Sequence, residues 1–121
     1  MAITKSAAVI WNGITLTASA GDTTSAGQNL AAAYGAVLDL KLTNGATGPT
    51  VAAQIQIQVS EDNSNYYNYG GALKGSTVNS AVSQWGGIEV PLGTNYVRLV
   101  GGSNTGQNVT ARAEISMVTK V

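Results

Sequence analysis

Apolar and polar positions alternate with a period of two through several stretches of this chain, and no long stretch replaces that period with a helical one. Across residues 36–43, Leu38, Leu40 and Leu42 share one face and Asp39, Lys41 and Thr43 the other, which predicts a half-buried strand. Asn44-Gly45 and Gly48-Pro49 then mark a loop. The alternation resumes over residues 51–59, with Val51, Ala53, Ile55, Ile57 and Val59 inward and Gln54, Gln56 and Gln58 outward, so the two segments are expected to form a hairpin. A second hairpin is expected near the end. Val97 and Leu99 face inward from residues 96–100, a Gly-rich turn occupies 101–106, and Val109, Ala111, Ala113, Ile115 and Met117 alternate with Thr110, Arg112, Glu114 and Ser116.

Shorter strands are predicted at 7–11, 14–18, 66–70 and 88–91, with Asn12-Gly13 as a two-residue turn between the first two. The one Ala-rich stretch, residues 29–34, is stopped by Gly35 and is too short for more than a helical turn. About eight strands without crossover helices exclude a parallel α/β sheet. The expected fold is all-β: an antiparallel two-sheet β-sandwich, jelly-roll-like, forming a single domain over residues 1–121, with 1–8 as an extended N-terminal arm.

Composition narrows the chemistry. The 121 residues hold six Lys+Arg, six Asp+Glu, and neither His nor Cys. An imidazole base, a thiolate nucleophile, a Ser-His-Asp triad and an ordinary structural zinc site are therefore excluded. Charged residues make up 10% of the chain, well under the usual quarter, and the cations are scattered singly, so no basic stripe exists to displace phosphate counterions. Neither nucleic acid nor membrane is expected as a partner, because no apolar run approaches a membrane span. The opening residues lack a secretory signal pattern, which places synthesis in a cytoplasm. A neutral surface gives little mutual repulsion, so copies of the chain are expected to associate. No Phe is present, and the core is expected to be aliphatic, with Trp11 inside it.

Four aromatic side chains are the candidate ligand contacts. Tyr66, Tyr67 and Tyr69 cluster, and Trp85 precedes Gly86-Gly87; such rings stack on sugars or bases when exposed. The competing expectation is structural, with Tyr67 and Tyr69 capping the core edge and Trp85 plugging an open end of the sandwich. Glu61-Asp62-Asn63-Ser64-Asn65 offers oxygens to a cation but lacks the spacing of an EF-hand loop, and reads better as a polar turn. Glu89 and Glu114 sit on strands with nothing in their spacing to make them a glycosidase pair. The doublets Gly70-Gly71, Gly86-Gly87 and Gly101-Gly102 match no phosphate-binding loop and read as turns or bulges. No catalytic residue, cofactor or metal ligand is expected.

The run Ala33-Tyr34-Gly35-Ala36-Val37-Leu38-Asp39-Leu40-Lys41-Leu42-Thr43-Asn44-Gly45, the Gly48-Pro49-Thr50 turn, the outward glutamines, and Ile88-Glu89-Val90-Pro91 leading to Tyr96-Val97-Arg98-Leu99-Val100 resemble small virion structural proteins of tailed bacteriophages. Among these the chain is most similar to head decoration, or cement, proteins: β-sandwich knobs that clamp neighbouring capsid subunits. The resemblance spans residues 33–118 and rests on strand order and style. It implies a non-enzymatic role, many copies, a homotrimer suited to the threefold positions of a capsid shell, and a virion location against the major capsid protein or another virion protein. It transfers no site residue. A tail-associated or receptor- and glycan-binding module is the alternative the same pattern allows.

Overall fold

A computed structural model describes residues 3–120 of the chain; of the expected N-terminal arm, Met1 and Ala2 lie outside the described residues. The elements are all strands: β1 (Ile3–Leu16), β2 (Thr23–Thr24), β3 (Gln28–Asn29), β4 (Ala33–Asn44), β5 (Gln54–Ser60), β6 (Tyr67–Asn68), β7 (Leu73–Lys74), β8 (Val82–Val90), β9 (Tyr96–Gly102) and β10 (Val109–Lys120). They form two antiparallel sheets. One has the order β1-β10-β4-β8, and the other runs β2-β9-β5-β6, with β3 also on β9 and β7 also on β5.

Taking β2 with β3 and β6 with β7 as interrupted edge strands gives two four-stranded sheets face to face, joined in the order of a jelly roll. Of the residues predicted inward on β4, β9 and β10, Leu38, Leu40 and Leu42, Val97 and Leu99, and Val109, Ala111, Ala113 and Ile115 are buried between the sheets, while Met117 is only partly buried. Ile55 and Ile57 of β5 complete the opposite wall. Each large aliphatic side chain taken from water here contributes roughly 1.5–3 kcal/mol. Trp11 is the aromatic member, and its ring reaches across to β9, where a Cβ added at Gly101 would lie 2.8 Å from its Cη2. Gly101 is therefore a packing partner, and the strand runs on to Gly102 where the sequence pattern predicts a turn.

Three expected hairpins are absent, for one reason. β4 and β5 lie in different sheets, as do β9 and β10, so residues 45–53 and 103–108 bridge the sandwich instead of turning within a sheet. Crossing between sheets spans about 10 Å, which these connections cover easily. Val51, expected inward, is exposed within the first bridge and makes an isolated pairing with Thr105. The third expected hairpin, at Asn12-Gly13, is a bulge in one continuous strand: Trp11 pairs with Ala113 and Ile14 with Ala111, and Gly13 takes φ 66° to absorb the extra residue. A further register shift falls between Val9 and Trp11.

The sheets differ in extent. β1, β4 and β10 have 12 to 14 residues, whereas the longest strands opposite them, β5 and β9, have seven. At about 3.4 Å per residue the larger sheet overhangs the smaller. The register puts Ser6 opposite Met117, hence on the same side as the buried Ile115, yet Ser6 is exposed because no strand covers it there. The segment expected as an arm, over its described residues 3–8, is the first half of β1 and is paired to β10.

Candidate functional site

The overhang carries a groove of about 630 Å³ on the four long strands, lined from both registers, with Ser6, Met117, Ala36 and Val90 as its core-side row. Cross-strand register builds its floor. Ala7, Ser116, Val37 and Glu89 form one row across β1, β10, β4 and β8, and Lys5, Val118 and Gly35 form a second. These positions alternate with the buried Ile115 and Leu38, which fixes them as outward. Small side chains at Ala7, Gly35 and Ser116 keep the floor low. Tyr34 and Leu92 stand up as walls at 64% and 79% exposure. Tyr34 projects because it is the extra residue of a bulge, where Val118 pairs with Gly35 and Thr119 with Ala33. Lys5 and Glu89 occupy opposite edges, three strand spacings or about 14 Å apart.

The groove thus presents an apolar, low-relief surface with one charge of each sign at its margins. Such a surface buries apolar area against a complementary body. No single residue in it announces itself in sequence. The available signal was the outward row of small and apolar residues on β4 and β10, where a solvated face would carry charges.

A second groove on the same sheet, about 340 Å³, has a different character. Asp39, Lys41, Gln84, Arg112 and Glu114 line it, with Trp85 alongside. Arg112 is held by two carboxylate or amide oxygens, at 2.5 Å from Glu114 Oε1 and 2.5 Å from Asn12 Oδ1. Exposed pairs of this kind are worth at most about 1 kcal/mol. Asp39 Oδ1 accepts the Gly87 N–H at 2.9 Å and so pins the β8 bulge, where Gly87 has φ 69°. Glu114 belongs to this groove and Glu89 to the larger one, so the two glutamates do not face one reacting centre.

The four candidate aromatics do not converge. Trp85 pairs with Leu40 on β8 and packs against the core, while the tyrosines belong to the other sheet. Tyr66 is spoken for: the Arg98 guanidinium sits 3.8 Å from its ring centroid, its hydroxyl donates to Asn63 Oδ1, and a side chain at Gly27 would collide with it. Burial pushes its phenol above the usual value, with the Arg98 charge opposing that shift. Arg98 also donates to Gln58 Oε1 at 2.8 Å, and Gln58 Nε2 donates to Asn68 Oδ1 at 3.0 Å, so the outward glutamine ladder is tied into a polar network. Tyr67 lies opposite Val59 on the core side but remains 70% exposed, and Tyr69 is half-open beside it. Tyr67 therefore does not cap the core edge.

The acidic turn closes on itself. Asp62 Oδ1 accepts the N–H groups of Ser64 and Asn65 at 2.9 and 2.8 Å, Oδ2 accepts from Asn65 Nδ2, and Ser60 Oγ donates to Oδ1. These donors hold the Asp62 carboxyl well below the usual carboxylate range, the Asn65 N–H foremost.

No family model and no curated protein sequence matches the chain. Solved structures do share its fold. A chain from the structure of infectious bursal disease virus, Gx strain, superposes with a TM-score of 0.57 at 9% identity, covering 97% of this chain and 32% of that one. The Gt strain of the same virus gives 0.52, also at 9% identity, with the same coverages of 97% and 32%. This chain therefore spans about a third of the length of those viral chains. A family 16 carbohydrate binding module is a more distant neighbour, with a TM-score of 0.44 at 12% identity over 84% of this chain and 71% of that one. The fold is a β-sandwich of the kind found in a virus structure.

Proposed function

We propose that the chain is a non-enzymatic structural protein of a tailed-phage virion, a decoration or cement protein that stabilises the head lattice. The observation that carries this is the overhanging sheet, whose groove offers apolar area and almost no reactive groups. The jelly-roll likeness to chains of a virus structure supports a particle setting, and the neutral composition suits dense packing beside other subunits. Function follows as shape: the groove seats on a neighbouring virion protein, and repetition over the lattice converts weak single contacts into a firm hold. Copies of the chain itself are the second partner. The protein is made in the host cytoplasm and works on the particle.

The test is cosedimentation of the purified chain with heads lacking it. Val37→Glu and Leu92→Glu, both on the exposed groove, should abolish attachment while leaving the circular dichroism unchanged. Attachment that survives both substitutions contradicts the assignment of the surface.

One observation favours a second reading. Tyr67 and Tyr69 present open rings at the edge of the smaller sheet, suited to stacking on a glycan in a tail or receptor-contacting module. Glycan binding that disappears in Tyr67→Ala would establish that role in place of the first.

A further inference from the structure

The four-stranded sheet has an edge that none of the described residues covers. β1 pairs with β10 on one side, and its other side is free among the described residues, leaving a row of outward N–H and C=O groups. Over residues 3–9 the strand is unbulged and lacks proline, and Lys5 is its sole charge. From Ile10 onward two register shifts spoil it as a template. The geometry points to this stretch pairing antiparallel with the same stretch of a second copy, about a twofold axis at Ser6, to make one continuous eight-stranded sheet. This contact gives the proposed self-association a specific partner surface and rests on that part of the functional reading.

Register selects the axis. A twofold perpendicular to the sheet keeps outward residues beside outward residues, so the symmetric pairings differ by steps of two. Centred on Lys5, the pairing sets two ammonium groups directly opposite each other, which is destabilising. Centred on Ala7, it drives Ile3 against Trp11 and runs into the bulges. Centred on Ser6, it sets Ile3 opposite Val9 of the second copy and Lys5 opposite Ala7. Ile3 and Val9, 71% and 50% exposed, then cover each other. Small residues at 6, 7 and 8 let the backbones approach.

The opposite edge of the sheet is a poorer mate. β8 is broken by the Gly86-Gly87 bulge, where its pairing to β4 also shifts between Leu38 and Leu40. A head-to-tail contact of β1 with β8 would match only short pieces, whereas β1 with β1 matches seven residues. The twofold also leaves both 630 Å³ grooves on one side of the joined sheet, since Lys5 and Ala7 line each of them beside the axis. A dimer built this way presents two docking grooves to one lattice surface.

The chain has no cysteine, which makes the axis directly testable. Directly opposed residues of antiparallel strands have Cα atoms about 4.5–5.5 Å apart, within disulfide range. Ser6→Cys should therefore give a covalent dimer on mild oxidation of the full chain, whereas Thr4→Cys, set opposite Ala8, should not. Sedimentation equilibrium adds a signed readout. Ala7→Lys places like charges opposite Lys5 twice per dimer and should weaken association roughly 2- to 30-fold, while Ala7→Glu should strengthen it. Both changes are on an exposed edge position and leave the fold intact. Equal cross-linking at positions 4 and 6, a monomer at high concentration, or a trimer indifferent to the charge at position 7 would overturn the proposal. Particle attachment measured in parallel separates outcomes: if Ser6→Cys fails to cross-link but heads are still bound, the twofold is wrong and the decoration role stands.

Discussion

The two sheets of the sandwich are finished differently. In the smaller one both edges are broken: β2 and β3 on one side and β6 and β7 on the other are two-residue strands separated by loops, which leaves little for another chain to pair with. Its outer face is a bonded network of Gln58, Arg98 and Asn68, with Tyr66 over the Arg98 guanidinium. The larger sheet has a 14-residue edge strand and, where it overhangs, an apolar groove. Polar satisfaction and short edges characterise a surface meant for water; long edges and uncovered apolar area characterise one meant for contact. Under the proposed function, the difference favours β1, β10, β4 and β8 as the contact surface without appeal to any reactive residue.

The core shared by both sheets sets the largest effect. Leu40→Asp buries an unpaired carboxylate and should leave no soluble folded protein, whereas Lys41→Asp, one position along on the outer face, should change stability by less than about 0.5 kcal/mol. A folded Leu40→Asp variant, checked by circular dichroism and urea titration, would reverse the faces on which the comparison depends.

That alternation was the part of the molecule legible in sequence. Leu38, Leu40, Leu42 and the four buried residues of β10 announce their face because a strand places every second side chain on one side. Pairing was not legible, because alternation says which face is buried and not which strand lies beside it. The segment from Asn44 to Pro49 read as a hairpin loop and residues 51–53 as strand, whereas residues 45–53 together carry the chain across to the other sheet. Asn12-Gly13 has the chemistry of a tight turn, and the same positive φ at Gly13 serves a bulge equally well. The groove was hidden for the same reason: its rows draw one residue each from four segments, and only the register brings Ala7, Ser116, Val37 and Glu89 together. The aromatic cluster was legible as residues and not as an arrangement: Tyr66 packs on Arg98 and Trp85 belongs to the opposite sheet, while Tyr67 and Tyr69 stay open.

Smaller effects sharpen the contrast. Asn104 is buried, and its Nδ2 donates to the carbonyls of Leu16 and Gln107, both at 2.9 Å, tying the end of β1 to the connection that enters β10. Asn104→Ala should cost about 1–3 kcal/mol in urea unfolding by leaving those carbonyls unpaired. Gly101→Ala brings a methyl against Trp11 and should cost a comparable 1–3 kcal/mol, about the range for overpacking a core. Loss of stability in both without loss of particle attachment would separate the core from the contact surface.

The smallest effect belongs to the finished sheet. The Asp62 carboxyl is held below its ordinary value of 3.8 by the turn between β5 and β6, so its contribution to stability is present above that pH and is lost as pH falls below it. The melting temperature should therefore decline on acidification from about pH 5 toward pH 2, and Asp62→Asn should flatten that decline. An unchanged slope in the variant would remove Asp62 from the account of this turn.

The assignment of the working surface is tested most directly by amide hydrogen exchange on the free protein and on protein attached to heads. The account predicts new protection along residues 3–9 of β1 and around Gly35, Val37 and Ser116, with β5, β6 and the glutamine ladder exchanging as they do in the free chain. New protection confined to β5 and β6, with the edge of β1 exchanging as before, would contradict it.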